Sequence, residues 1–346
     1  MKKALALVLA LVLVFSLAAC GGEKAPAKDD TQTDTSAETH TGEPQKIVVV
    51  LPNVRGDGGT HDLACRAAEA IVAKSGAELK IVELGKAVTD AAKWEAALCD
   101  LAEEGYDLIV TGGSLMKDTI QTVAPMYPDM PFICYDVALD FDSVKMPNVY
   151  AMDFSQNEAA YMAGVVAAST STSGYIGFVG ATKIPVIYDF MVGYIAGAKA
   201  VNPDIKVATA FTNDFNDAAL AKELSLAQIK AGVDVIFPAC GNAAAGVYEA
   251  ARDSKIHAIG NDQDVATKYS TTDPEITNII AASVMKKVDN AVASAYERYV
   301  AGTLPFGSQE TVGVAVDGAG MVKNDFYDKS LTKEVKDVIA EYEGNI

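Results

Sequence analysis

The residues able to do chemistry cluster where polar loops follow apolar runs. Phe215 lies in Phe211-Thr-Asn-Asp-Phe-Asn-Asp217, a polar stretch where a ring is costly unless something covers it. An aromatic so placed suits stacking on a planar ring, which for a nucleobase contributes about 1–3 kcal/mol. Asp262 and Asp264 in Ile259-Gly-Asn-Asp-Gln-Asp264 offer carboxylates able to accept from two neighbouring hydroxyls, whereas a Ca²⁺ site needs more oxygen ligands than this loop brings. Lys286, followed by Lys287, reads either as part of a solvated helix face or as a cation for a ligand. Gly56-Asp-Gly-Gly-Thr60-His61-Asp62 precedes a helical pattern, with Thr60 or Asp62 as a cap. It lacks the GxGxxG spacing and the lysine of a phosphate cradle. No GxSxG or HExxH pattern occurs, and the body carries only His61 and His257 as histidines. We therefore assign no catalytic residue, no metal and no cofactor, and expect a non-enzyme.

From residue 46 onward, short β-branched runs alternate with Ala-rich helical patterns, the signature of an α/β chain with parallel sheets. The pattern occurs twice. Lys46-Ile-Val-Val-Val-Leu-Pro52 pairs with Gly174-Tyr-Ile-Gly-Phe-Val-Gly180; a helix at 94–105 running into 106–113 pairs with one at 221–232 running into 233–241; Phe132-Ile-Cys-Tyr-Asp136 pairs with Ala258-Ile-Gly-Asn-Asp262. The near-constant offset predicts two similar Rossmann-like lobes with a site between the carboxyl ends of their strands. The loops there are residues 53–61, 111–116, 136–139, 181–185, 213–217, 241–246 and 261–264. Their Gly, Asp, Asn and scattered aromatics suit a neutral, hydroxyl-bearing, ring-containing solute. Phe237, inside a strand pattern at 235–238, reads on its own as core.

Length and charge bound the rest. The 346 residues carry 28 Lys+Arg against 46 Asp+Glu, a net charge of −18, which opposes nucleic acid and anionic lipid surfaces. The length suits two domains. Met1-Lys-Lys, an apolar run at 4–15 and Leu17-Ala-Ala-Cys20 read as a secretory signal over 1–19, and Leu-Ala-Ala-Cys resembles the bacterial lipobox, with Cys20 as the lipidated residue. Residues 20–45 read as a lipidated Cys and a flexible tether, being rich in Asp, Glu, Thr, Ser, Ala and Pro. Loss of Lys2 and Lys3 takes the charge from −18 to −20, so any membrane contact would come through the lipid. Cys65, Cys99, Cys134 and Cys240 form no CxxC pair and lack zinc spacing; a disulfide among them stays open.

The body, from residue 47 to about 302, resembles the basic membrane lipoprotein family, substrate-binding lipoproteins of ABC importers whose characterised members bind purine nucleosides. The resemblance rests on Asn148-Val-Tyr-Ala-Met-Asp-Phe154, Glu158-Ala-Ala-Tyr-Met-Ala-Gly164, Phe190-Met-Val-Gly-Tyr-Ile-Ala-Gly197, Asn202-Pro-Asp-Ile-Lys-Val207, Phe215-Asn-Asp217, Gly232-Val-Asp-Val-Ile-Phe237 and Ile259-Gly-Asn-Asp262. It implies a type I periplasmic-binding-protein fold. Residue by residue, Phe215 matches an aromatic of the base pocket and Phe237 falls near a second. Asp262 matches the carboxylate on the ribose hydroxyls, Lys286 the lysine at the sugar end, and Gly241 a glycine under the ligand. Thr60-His61-Asp62 stands where the family usually has Ser-Phe-Asn, and Asn53 where its first strand ends in an Asp facing the base. His61 can still stack, and Asn53 can donate as well as accept, so the hydrogen-bond code for the base differs.

The resulting expectation is a monomeric, lipid-anchored binding protein on the extracytoplasmic side of a bacterial cell membrane. It would close on a nucleoside-like solute through Asn53, His61, Asp62, Ser114, Asp136, Phe215, Phe237, Gly241, Asp262 and Lys286, and present it to an ABC permease. The lobes are expected at 46–152 plus 281–304 and at 153–280 plus 305–346. A surface sensor or adhesin on the same fold, or a binding protein for another small polar ring-containing solute, is the alternative.

Overall fold

The structure, a computed structural model, describes residues 42–56, 59–85 and 91–344. The expected signal segment 1–19, Cys20 and residues 21–41 of the tether lie outside the described residues. In chain order the first part runs β1 (Lys46–Leu51), α1 (Thr60–Ser75), β2 (Glu78–Glu83), α2 (Ala91–Glu103), β3 (Leu108–Gly112), α3 (Lys117–Val123), β4 (Phe132–Tyr135) and β5 (Val149–Phe154). It continues α4 (Gln156–Thr170), β6 (Tyr175–Gly180), α5 (Pro185–Val201), β7 (Lys206–Phe211), α6 (Ala218–Lys230), β8 (Val235–Ala239), α7 (Ala244–Ser254) and β9 (His257–Asn261). Then follow α8 (Val265–Tyr269), α9 (Pro274–Ile279), β10 (Ile280–Lys286), α10 (Val288–Val300), β11 (Ser308–Val312), β12 (Ala319–Met321), α11 (Asp325–Ser330) and α12 (Lys333–Glu343).

The duplication is visible in the sheets. One has the order β11-β5-β4-β3-β1-β2, the other β12-β10-β9-β8-β6-β7. All pairings are parallel except β10 with β12. Each sheet is covered on both faces, which is why its strands read as unbroken apolar runs rather than alternating ones. In β1, Ile47, Val49 and Leu51 pack with α1 and α10, while Val48 and Val50 face α2 and α3. In the second lobe, α4 and α5 touch backbone to backbone: a Cβ on Gly164 would lie 2.1 Å from the Tyr194 carbonyl oxygen, and one on Gly197 1.9 Å from that of Tyr161. Only glycine allows that approach.

The lobe boundaries differ from the expectation at the second and third crossings. Residues 281–286, expected in the first lobe, form most of β10 in the second sheet, and β11, expected in the second lobe, is the edge strand of the first. The chain thus crosses near Ser155, at Lys287 and between Gly313 and Gly318. The crossing segments are tied together: Ser155 N–H donates to the Val312 carbonyl at 2.9 Å, and Lys287 N–H to the Gly318 carbonyl at 2.8 Å. The reason for the difference is physical. The apolar pattern of β10 states that the strand is buried and not which sheet accepts it, while β11, Ser-Gln-Glu-Thr-Val, carries no apolar run to mark it as a strand. No helix among the described residues is long and apolar enough to cross a membrane.

Candidate functional site

The carboxyl ends of both sets of strands face one interlobe cavity of about 130 Å³, room for on the order of ten waters. Eight of the ten expected residues line it: Asn53, His61, Ser114, Asp136, Phe215, Gly241, Asp262 and Lys286. The matching loops supply them in pairs. Short 3₁₀ turns, Ser114–Met116 after β3 and Gly241–Ala243 after β8, present Ser114 and Gly241. Asp136 after β4 and Asp262 after β9 both hold left-handed backbone, φ 54° and 61°. Such a conformation costs a non-glycine residue roughly 1–2 kcal/mol and is typical of ligand clamps.

At the polar floor, the Lys286 ammonium donates to both oxygens of Asp136, each at 2.8 Å. The pair joins the two sheets, since Lys286 ends β10 and Asp136 follows β4. It is nearly dry, with the side chains 5% and 11% exposed. Burial alone would lower the lysine, but Asp136, Asp262 and Asp153 outweigh it and hold the amine above its ordinary value. Asp153, at the end of β5, is pushed upward by burial and then by repulsion from Asp136. Acidic side chains thus outnumber cations here, which favours solutes that bring hydrogen-bond donors.

The aromatic contributions come from both lobes. Phe215 packs over Gly241, where a Cβ would meet its ring at 3.2 Å. His61, in the first turn of α1, lies with its Nδ1 3.2 Å from the Tyr135 hydroxyl and edge-on to that ring. Phe190 of α5, which sequence reasoning missed, also lines the cavity, with the Lys286 ammonium 5.6 Å from its ring centre. The duplication was the available signal: the first turn of α1 faces the cleft, so the first turns of α5 do as well. Asn242, Asn261 and Gln263 were missed too. Among the described residues, Asn53 Oδ1 and Asn261 Oδ1 are buried acceptors without a hydrogen-bond partner.

Two expected residues lie elsewhere. Phe237 is fully buried in β8, packed against Phe178, Phe190 and Tyr194. A strand covered on both faces gives no alternation from which to read the side facing the site. Asp62 is turned from the cavity and accepts from Gly56 N–H at 3.0 Å, bracing the loop before α1. The N-cap of α1 is Gly59, not Thr60 or Asp62. A Cβ on Gly59 would stand 2.9 Å from Asp262 Cβ, so the lobes meet closely there. No disulfide joins Cys65, Cys99, Cys134 or Cys240 among the described residues, and the Cys240 thiol, at the cavity wall, is raised by burial.

Comparisons with known proteins give the family and the fold. The profile of the family described as "ABC transporter substrate-binding protein PnrA-like" matches residues 44–345. The chain is 30% identical over 312 residues to basic membrane protein D of Borreliella burgdorferi, covering 86% of each. It is 31% identical over 254 residues to the ABC transporter nucleoside-binding protein BmpA of Lactococcus lactis subsp. cremoris, covering 70% of each. Among solved structures, an ABC transporter solute-binding protein of Aeropyrum pernix K1 superposes with a TM-score of 0.71 at 23% identity, over 87% of this chain and 86% of that one. One from Conexibacter woesei superposes with a TM-score of 0.70 at 20% identity, over 87% and 95%. The fold is that of the type I periplasmic binding proteins.

Proposed function

Since the chain belongs to the PnrA-like family of ABC transporter substrate-binding proteins, we propose that its solute is a purine nucleoside or a close analogue, held between the lobes by hinge closure. A solute-binding component of an ABC transporter acts outside the cytoplasm and hands its solute to a permease. The finer reading adds a lipid at Cys20 as the membrane anchor.

The observation that carries the nucleoside reading is the composition of the cavity: aromatic rings and carboxylates line one enclosure, both lobes contributing. Phe215 and His61 suit stacking on a base, and Asp262 beside Lys286 suits a polyhydroxylated sugar. Asn53, with its buried unpartnered carbonyl oxygen, suits a base edge that presents an N–H. The name of the Lactococcus relative points the same way. In the mechanism proposed, solute bound to one lobe supplies contacts that only the closed form completes, so closure is driven by differential affinity.

The test is thermal unfolding against nucleosides, free bases and sugars, since a ligand of the folded state raises the midpoint. A purine nucleoside should raise it. Asp262→Ala should cut affinity by about tenfold or more, because a hydrogen bond to a charged acceptor contributes about 1.5–3 kcal/mol. No shift with any nucleoside would remove this reading while leaving family and fold in place. Release of lipid-bearing peptide from mature protein, read by mass spectrometry, tests Cys20 separately.

A further inference from the structure

We infer that Asn261 determines which sugar-bearing solutes the cleft retains, by accepting from a hydroxyl adjacent to the one that Asp262 accepts from; this rests on the riboside reading above. Asn261 is the last residue of β9, lines the cavity and is 6% exposed. Its side-chain Nδ2 donates to Asp262 Oδ2 at 3.3 Å. The reverse amide orientation would set two acceptors against each other, so the carboxylate fixes which end of the amide faces it. Oδ1 is thereby turned away from Asp262, and among the described residues it has no hydrogen-bond partner.

Other buried side-chain amides show what a structural role looks like. Asn148 and Gln228 also hold a buried carbonyl oxygen without a partner among the described residues, but neither lines the cavity, and Asn148 uses its Nδ2 to tie the carbonyls of Ala124, Tyr127 and Met130 while Gln228 ties that of Phe178. Among the described residues, the side-chain nitrogen of Asn261 binds only the neighbouring carboxylate at the cavity wall, and no backbone carbonyl. An apolar side chain would serve the strand better, because an unpaired buried carbonyl is a cost. The cost is recovered when a solute brings a donor. Asn261 Oδ1 and the Asp262 carboxylate are acceptors on consecutive residues, which matches two vicinal hydroxyls. The favoured class is therefore a riboside with both secondary hydroxyls free.

The test compares full-length wild type with Asn261→Leu, similar in volume and without polar atoms, by calorimetric titration with inosine, 2′-deoxyinosine and 3′-deoxyinosine. Wild type should prefer inosine to both deoxy forms. In Asn261→Leu the affinity for inosine should fall about tenfold, while one deoxy form binds nearly as it did to wild type, so that the preference for that one hydroxyl collapses. The melting midpoint of the ligand-free variant should equal or exceed that of wild type, the opposite of what loss of a structural bond gives. Equal loss for all three solutes, or unchanged ratios, overturns the inference, and Asn261→Ala repeats the comparison should the leucine variant misfold. Wild type that binds none of the three overturns the riboside reading and this inference with it.

Discussion

Tyr135-Asp136 at the end of β4 and Asn261-Asp262 at the end of β9 hold matching places in the two lobes, and their aspartates share the same left-handed backbone. Their side chains serve different ends. Asp136 gives both oxygens to Lys286 of the other sheet, and Tyr135 reaches the His61 ring. Asp262 receives the amide of Asn261 from its own strand and meets the backbone of Gly59 from the opposite lobe. One carboxylate holds the lobes to each other, and the other is set where a solute can meet it. The two lobes share the backbone device, while the residue before it and the cation across from it differ.

The comparison breaks most severely at Asp136. Asp136→Asn leaves Lys286 buried without its nearest counter-charge, and breaking a buried pair in this way costs about 3–5 kcal/mol. Asp262 and Asp153 keep part of the compensation, and opening of the lobes hydrates the ammonium. Small-angle scattering should therefore show a larger radius of gyration. Affinity should fall for every solute by a similar factor, because the loss lies in closure. Selective loss of some solutes only would mean that Asp136 reads the solute as Asp262 is proposed to do.

Gly59→Ala sharpens the contrast from the Asp262 side. The added methyl collides with Asp262 only when the lobes are together, and overpacking costs about 1–3 kcal/mol. Solute affinity should drop between about fivefold and a hundredfold in a titration, with the unfolding midpoint of the ligand-free protein nearly unchanged. The smallest effect is expected at Asp153, beside the Asp136 pair. Burial, then Asp136, raises this carboxyl above its unfolded value, so the folded protein holds the proton more tightly and the charged form costs stability at neutral pH. Asp153→Asn should be slightly more stable than wild type at pH 7 in urea. The gain should shrink as pH falls through the folded pKa and vanish below the unfolded value near 3.9.

Much of this was legible before the structure. The matched segments at 46–52 and 174–180, 106–113 and 233–241, and 132–136 and 258–262 became β1 and β6, β3 and β8, and β4 and β9, because apolar runs bounded by Gly, Asp and Asn are local statements. Phe215 was visible for the same reason, as a ring in a polar loop. Phe190 was hidden within a helix apolar enough to look like core throughout. Phe237 sat in a strand buried on both faces, and the sheet chosen by β10 depends on packing between lobes that no local pattern encodes. Asn261 read as a loop residue, while its importance lies in a bond its carbonyl does not make.

The three crossings also bear on the order in which the protein can be built. Val288 and Val292 of α10 belong to the same core as Leu63 and Ala64 of α1, and β11 pairs with β5 across a separation of more than 150 residues. The first lobe therefore cannot complete its core until nearly the entire chain has been synthesised, and the second sheet waits for β12 still later. Contacts this remote in sequence make folding slow. Finishing the amino-terminal lobe first, the usual course for a nascent two-domain chain, is closed to this one, because α10 and β11 of that lobe follow every strand of the second sheet except β12.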